Sequence, residues 1–266
     1  MPVAVVRLSY NGAPFCGFAR QTKQSVATVQ EELEHALSTV FRREVQVVCA
    51  GRTDTGVHAL DQVISFEITP EERAAKTEHS LLNSLNALTS DAISARRAVC
   101  APEGFSARFS AVSREYRYYL SDTSSAPLVM QAFSAHTPGK LDVDAMNVAA
   151  TYLVGNHDFK SFCVKESAEG RNTVRTLFEV SVEREHIMGD DLVCIRVVGN
   201  AFLHSMIRTM AGTLDMVGRE MRSPEWVRHV LEARDRCAAG PKAPACGLIF
   251  WHVDYGDALK GATWEA

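Results

Sequence analysis

Apolar residues recur along this chain with two periods, and the switches between them outline its elements. Val3 to Ser9 is apolar and runs into Asn11-Gly12, which predicts a strand closed by a turn. Thr28-Val29-Gln30-Glu31 has the form of a capping box, and Val29, Leu33, Ala36, Leu37 and Val40 follow at helical spacing, so a helix is expected from about Thr28 to Val40. Glu44 to Cys49 and Gln62 to Ile68 read as strands, the second with Ile64, Phe66 and Ile68 on one face. Thr77 to Leu88 reads as a helix and Ile93 to Val99 as a strand. Further on, Ser113 to Leu120 alternates, with Arg114, Tyr116, Tyr118 and Leu120 on one face and Glu115, Arg117 and Tyr119 on the other. Ser121 to Lys140 reads as a connection, Asp142 to Leu153 as a helix, and Val174 to Glu183 and Leu192 to Val198 as strands. A long helix is expected to open at Asn200, with Phe202, Met206, Met210 and Thr213 in one stripe and Arg208 beside it. Ser223 to Ala239 follows as a helix with Ser223 as N-cap and Pro224 at N1, and a last strand runs through Val253. Few helices among strands that can pair antiparallel indicate an α+β protein.

Composition narrows the class. With 266 residues, 46% of them hydrophobic and 23% charged, the chain is long enough for a substantial core and is expected to be globular and soluble. Apolar runs are too short for a membrane span, and the N-terminus carries no basic leader, so neither membrane nor secretion is indicated. Seven scattered cysteines signal neither a disulfide framework nor a zinc site, and a reducing cytoplasm fits them best. A net charge of −4 argues mildly against a polyanion partner. Of the 28 basic residues, however, 21 are Arg and 7 are Lys. Such a bias suits an RNA surface, because the guanidinium grips phosphate and stacks on bases, and it follows equally from a GC-rich genome.

The chemistry concentrates in Ala50-Gly51-Arg52-Thr53-Asp54-Thr55-Gly56-Val57-His58-Ala59, wedged between two strand-like segments. It is longer than the roughly two to five residues of a plain hairpin loop, and it carries charge and two glycines. Read from its residues alone, it is either a long hairpin loop in which Asp54 accepts hydrogen bonds from its own backbone, or a catalytic loop. Asp54, His58 and Asp61 could also form the carboxylate/His metal site of a hydrolase. Arg208, near an apolar stripe, calls for a carboxylate partner, since an unpaired buried charge is very unfavourable.

The run GRTDTGVHA resembles the G-R-T-D-x-G-V-H-A signature of the TruA family of tRNA pseudouridine synthases, in which the Asp is the nucleophile. The resemblance extends from about Leu8 to Tyr255. Tyr10, Gly12, Phe15, Gly17 and Gln21 agree with the family's opening motif, while Asn11, Phe18 and Ala19 depart from it. FSARFSA has Ser106 where the family has His, and REYRYYL, LVGNHDF, NAFLHSMIR and APACGL match in order. What the resemblance implies is a pseudouridine synthase fold: two α+β halves, 1–110 and 111–266, around a mixed, mainly antiparallel sheet with a central cleft. It implies Asp54 as nucleophile, Arg208 paired with it and Tyr116 packed against the target base. Arg52, His58 and Leu248 are further candidates at the substrate, Arg52 to enter the RNA stack and hold the target nucleotide outside it, His58 to shape the loop. The resemblance also implies action on the anticodon arm of tRNA at positions 38, 39 and 40, usually by a homodimer. A flipped uracil needs a flat partner, and base–aromatic stacking contributes about 1–3 kcal/mol. Isomerisation breaks N1–C1′ and joins C5 to C1′ without redox change, so no metal and no cofactor is expected. Readings of other classes are the metal-dependent hydrolase and an RNA-binding module without catalysis.

Overall fold

A computed structural model describes residues 1–21 and 26–264. The chain forms two compact units, Met1–Val112 together with Phe250–Ala266, and Ser113–Ile249. The first break falls two residues beyond the expected 110/111 division, and the last strand, expected in the second half, returns mostly to the first unit.

The first unit runs β1 (Val3–Tyr10), α1 (Val29–Phe41), β2 (Val48–Cys49), β3 (His58–Glu67), α2 (Pro70–Ala74), α3 (Glu78–Leu88) and β4 (Ile93–Ala101). The second holds β5 (Ser113–Ser121), β6 (Ala135–His136), α4 (Val143–Thr151), β7 (Gly155–Asp158), α5 (Lys165–Ala168), β8 (Val174–Ile187), β9 (Asp190–Gly199), α6 (Met206–Gly218) and α7 (Glu225–Ala233). Strand β10 (Leu248–Asp254) then brings Phe250–Asp254 back to the first unit. No helix among the described residues is long and apolar enough to cross a membrane.

In the first unit the strand order is β4-β1-β3-β10, with β2 added to β3. Strand β1 is antiparallel to both β3 and β4, so it is flanked on each side and reads as almost continuously apolar. Helix α1 buries Val29, Leu33, Ala36 and Leu37 of the expected stripe and leaves Val40 half-buried, and Thr28 caps it by accepting from the Glu31 N–H. Only Val48 and Cys49 of the segment expected as a strand from Glu44 are paired as one. The preceding backbone groups are taken by side chains of α1: Val45 N–H donates to Ser38 Oγ at 3.1 Å, and Val47 N–H to Glu34 Oε1 at 3.1 Å. Val45 and Val47 are buried all the same, so their apolar character reports packing and not pairing.

In the second unit the order is β5-β9-β8-β7, all antiparallel, with β6 parallel to β5. The sheets are therefore mixed and mainly antiparallel, as an α+β protein requires. Two helices begin or end elsewhere than their patterns suggest. Helix α6 starts at Met206 and not at Asn200, because the strap before it spends its polar groups outside a helix. Asn200 exchanges bonds with Thr176, its carbonyl accepts from Arg114 Nη1 at 2.6 Å, the His204 carbonyl accepts from Val164 N–H, and Ser205 is left-handed at φ 59°. Helix α7 starts at Glu225 with no side-chain cap from Ser223, and it stops at Ala233, where Arg234 turns left-handed at φ 50°. His157 and Asp158 lie on β7, where Asp158 accepts from Lys160 N–H and the Thr173 hydroxyl.

Candidate active site

The loop that carries Asp54 is held by buried polar contacts on either side of it. Gln62, fully buried on β3, donates through Nε2 to the Gly51 carbonyl at 2.8 Å and to the Tyr10 hydroxyl at 3.3 Å. Its Oε1 accepts from Val63 N–H, so the amide can face only one way. Tyr10, having accepted from Gln62, donates to Thr53 Oγ1 at 2.7 Å. Burial, only partly offset by the bonds to Thr53 and Gln62, pushes the Tyr10 hydroxyl far above its ordinary range, so it stays protonated and able to donate.

The segment after β1 lies against the same loop. The Thr53 carbonyl accepts from Phe18 N–H at 3.1 Å, and Gly56 N–H donates to the Phe15 carbonyl at 3.4 Å. Gly17 sits at φ 94° where an added Cβ would lie 3.0 Å from the Thr53 carbonyl oxygen. At Gly12 the approach is closer still: a Cβ would fall 2.0 Å from the Val57 oxygen, so only glycine fits. Within the loop, Val57 N–H donates to the Asp54 carbonyl at 3.1 Å, closing a turn. Thr53 and Val57 are buried, Asp54 is half-buried and Arg52 is exposed. The result is a fixed backbone that presents one carboxylate at a partly dry surface.

His58 opens β3 at 2% exposure, and its Nδ1 accepts from Gly12 N–H at 3.1 Å. That bond requires an unprotonated Nδ1 and ties the histidine to the loop's support. Asp61 is engaged away from Asp54: its Oδ2 accepts from Arg7 Nη1 and, at 2.8 Å, from His252 Nδ1. Among the described residues no group of three or more His, Cys, Asp or Glu is placed to hold a metal ion. The Asp54/His58/Asp61 hydrolase reading thus has no site to stand on.

The other candidate residues lie in the second unit. Tyr116, on β5, is buried at 6% exposure and meets Phe202 edge to face, ring centroids 5.0 Å apart at 76°. Phe202 comes from the strap before α6, so the residue expected on a helix stripe is instead the wall against which Tyr116 packs. Gly199 admits this packing, since a Cβ there would lie 2.7 Å from Leu177 Cδ2 and 3.1 Å from Phe202 Cζ. Arg208, in the first turn of α6, is clamped to one residue of the returning chain. Its Nε donates to the Ala243 carbonyl at 2.8 Å, and its own carbonyl accepts from Ala243 N–H at 3.0 Å. Helix α6 and the segment around Pro241 touch backbone to backbone here, because an added Cβ at Gly212 would fall 1.9 Å from the Pro241 oxygen. Leu248 begins β10 and is buried.

Residue patterns did not single out Gln62 or Thr53 as supports. The available signal was a fully buried glutamine inside an apolar strand, which needs specific partners.

Comparisons with known proteins identify the family. The family described as "tRNA pseudouridine synthase" matches residues 8–110 and 149–256. The tRNA pseudouridine synthase A of Photobacterium profundum is 40% identical over 248 residues, covering 93% of this chain and 91% of the relative. That of Bacillus subtilis (strain 168) is 39% identical over 250 residues, covering 93% and 97%. A solved Cbf5-Nop10-Gar1 complex aligns over 81% of this chain and 45% of its own at 13% identity, with a TM-score of 0.38, too distant to bear on the argument. Extent and identity together place this chain in the tRNA pseudouridine synthase family.

Proposed function

We propose that this isomerase of tRNA uridines uses Asp54 as its nucleophile, on uridines of the anticodon arm at positions 38, 39 and 40. The observation that supports Asp54 is the construction of its loop, fixed through Thr53 by Tyr10 and Phe18 and through the turn to Val57. Attack at C1′, attack at C6 and removal of the C2′ proton all begin from one ionised, correctly aimed carboxylate. Each asks the same of the loop: to hold that group still while the uracil leaves C1′, turns and rejoins through C5.

Arg208 is the cationic partner of Asp54 in this reading. With Nε committed to Ala243, the Nη pair is the fork that would meet a carboxylate, and a lysine cannot supply it. Tyr116, steadied by Phe202, is the flat partner of the flipped uracil. Arg52, exposed two residues before Asp54, enters the RNA stack and keeps the target nucleotide out of it. His58 shapes the loop from below, and Leu248 closes the apolar side of the base site. The enzyme works as a homodimer in the cytoplasm, with neither metal nor cofactor.

The test is release of tritium from C5 of uridine in a tRNA transcript, in excess chelator and with nothing else added, followed by mapping of pseudouridine. Release confined to positions 38, 39 and 40 is expected. Dependence on a divalent ion, or pseudouridine elsewhere in the tRNA, contradicts this reading. Arg208→Lys should lose at least about a hundredfold in turnover while keeping its fold; wild-type kinetics would remove Arg208 from the site.

A further inference from the structure

Phe109 is 80% exposed, and it sits on a turn whose backbone is bonded at several points. Single exposed apolar residues are ordinary on protein surfaces and ask for no explanation by themselves. What sets this one apart is how firmly it is presented. Ser110 N–H donates to the Ser106 carbonyl at 2.9 Å, Ser106 N–H to Ser110 Oγ at 3.0 Å, and Phe109 N–H to Ser106 Oγ at 3.4 Å. The base of the turn is fastened by Ala107, whose N–H donates to Ser65 Oγ at 2.9 Å and whose carbonyl accepts from the Tyr255 hydroxyl at 2.7 Å. Ser106, the serine that replaces the family's histidine, therefore caps the very residue that is displayed.

Its surroundings are cationic and adjoin the Asp54 loop. The Arg108 guanidinium lies 5.3 Å from the centroid of the Phe109 ring. Ser65, which anchors the turn, faces Val48 across the β2/β3 pair, and Cys49 follows directly before the loop. Burial pushes the Cys49 thiol up to about 11, and the two guanidinium groups that oppose the shift are those of Arg52 and Arg108. Both cations thus act on one side chain at the foot of the Asp54 loop. An exposed aromatic face beside a guanidinium group is the surface a single-stranded base with its phosphate fits.

We propose that Phe109 is a stacking platform for an unpaired base of the tRNA bound at Asp54, with Arg108 on the adjoining phosphate. The inference rests on the reading of Asp54 as the catalytic residue. Two variants test it with full-length tRNA. Phe109→Ala should weaken tRNA binding about 5- to 100-fold and raise KM, leaving turnover at saturation near wild type. Phe109→Trp should bind as wild type does, and its emission at the new position should be quenched by tRNA. Wild-type affinity in Phe109→Ala overturns the proposal. So does Phe109→Trp emission that ignores tRNA and follows protein concentration, which would assign the ring to a contact between copies. Tritium release by the unaltered enzyme is measured alongside. If that release is absent while Phe109→Ala still binds weakly, the Asp54 reading fails and the stacking platform stands.

Discussion

At the scale of single residues, the Asp54 loop depends on buried groups behind it. Tyr10 is buried, stays protonated, and passes one hydrogen bond from Gln62 to Thr53, the neighbour of Asp54. Tyr10→Phe removes that link at nearly constant volume and strands two buried polar groups, at a cost of about 1–3 kcal/mol. Because the contact positions Asp54 and not the tRNA, turnover should fall about tenfold with KM little changed. Steady-state kinetics beside thermal unfolding measures this. A variant that loses stability but keeps full turnover would show that Tyr10 only supports the fold. Gly12 belongs to the same support, since its closeness to Val57 keeps the segment after β1 against the loop.

At the scale of elements, local chemistry decided where patterns held. The helix pattern from Thr28 was legible because cap, stripe and left-handed end agree. The start of α6 was not, because the apolar spacing of Phe202 and Met206 continues through a strap whose backbone is bonded to β8, Arg114 and Val164. The same strap places Phe202 against Tyr116, so the misplaced boundary hid a contact of a candidate site residue. The loop around Asp54 stood out as a run too polar and too long for a hairpin loop. Its support did not, because Gln62 to Thr53 is a contact between residues distant in sequence.

An element-scale prediction concerns Asp122, which follows β5. Against the upward pull of burial, two bonds from Arg184, at 3.2 and 2.7 Å, and one from Leu141 N–H hold its carboxyl below the ordinary aspartate range. A depressed folded-state pKa means stability that is present above the unfolded value of about 3.9 and lost as pH falls through the folded one. Wild type should therefore exceed Asp122→Asn in urea resistance at pH 6, and the gap should close as pH drops below about 4. A gap of constant size across that window would assign the loss to packing and not to charge.

At the scale of the whole molecule, the first unit is discontinuous. Its sheet takes in β10 after the chain has completed Ser113–Ile249, and β10 lies next to β3, the strand that follows the Asp54 loop. Beyond it, Tyr255 bonds to Ala107, and the buried Trp264 donates from its indole to the Lys76 carbonyl. A chain ending at Ile249 should consequently expose the region of β3 to protease, although Asp54 lies far away in sequence. Proteolysis that leaves 1–112 as resistant as in the full chain would contradict this dependence.

The central claim, that Asp54 is the nucleophile on tRNA uridine, has one most direct test. Asp54→Asn keeps the size of the side chain and removes its charge. Wild type and variant are each incubated with tRNA carrying tritium at C5 of uridine, and tritium release and tRNA affinity are measured on the same preparations. Release by the wild type, none by Asp54→Asn, and tRNA affinity within about threefold in the two are expected. Release by Asp54→Asn at the wild-type rate would contradict the claim.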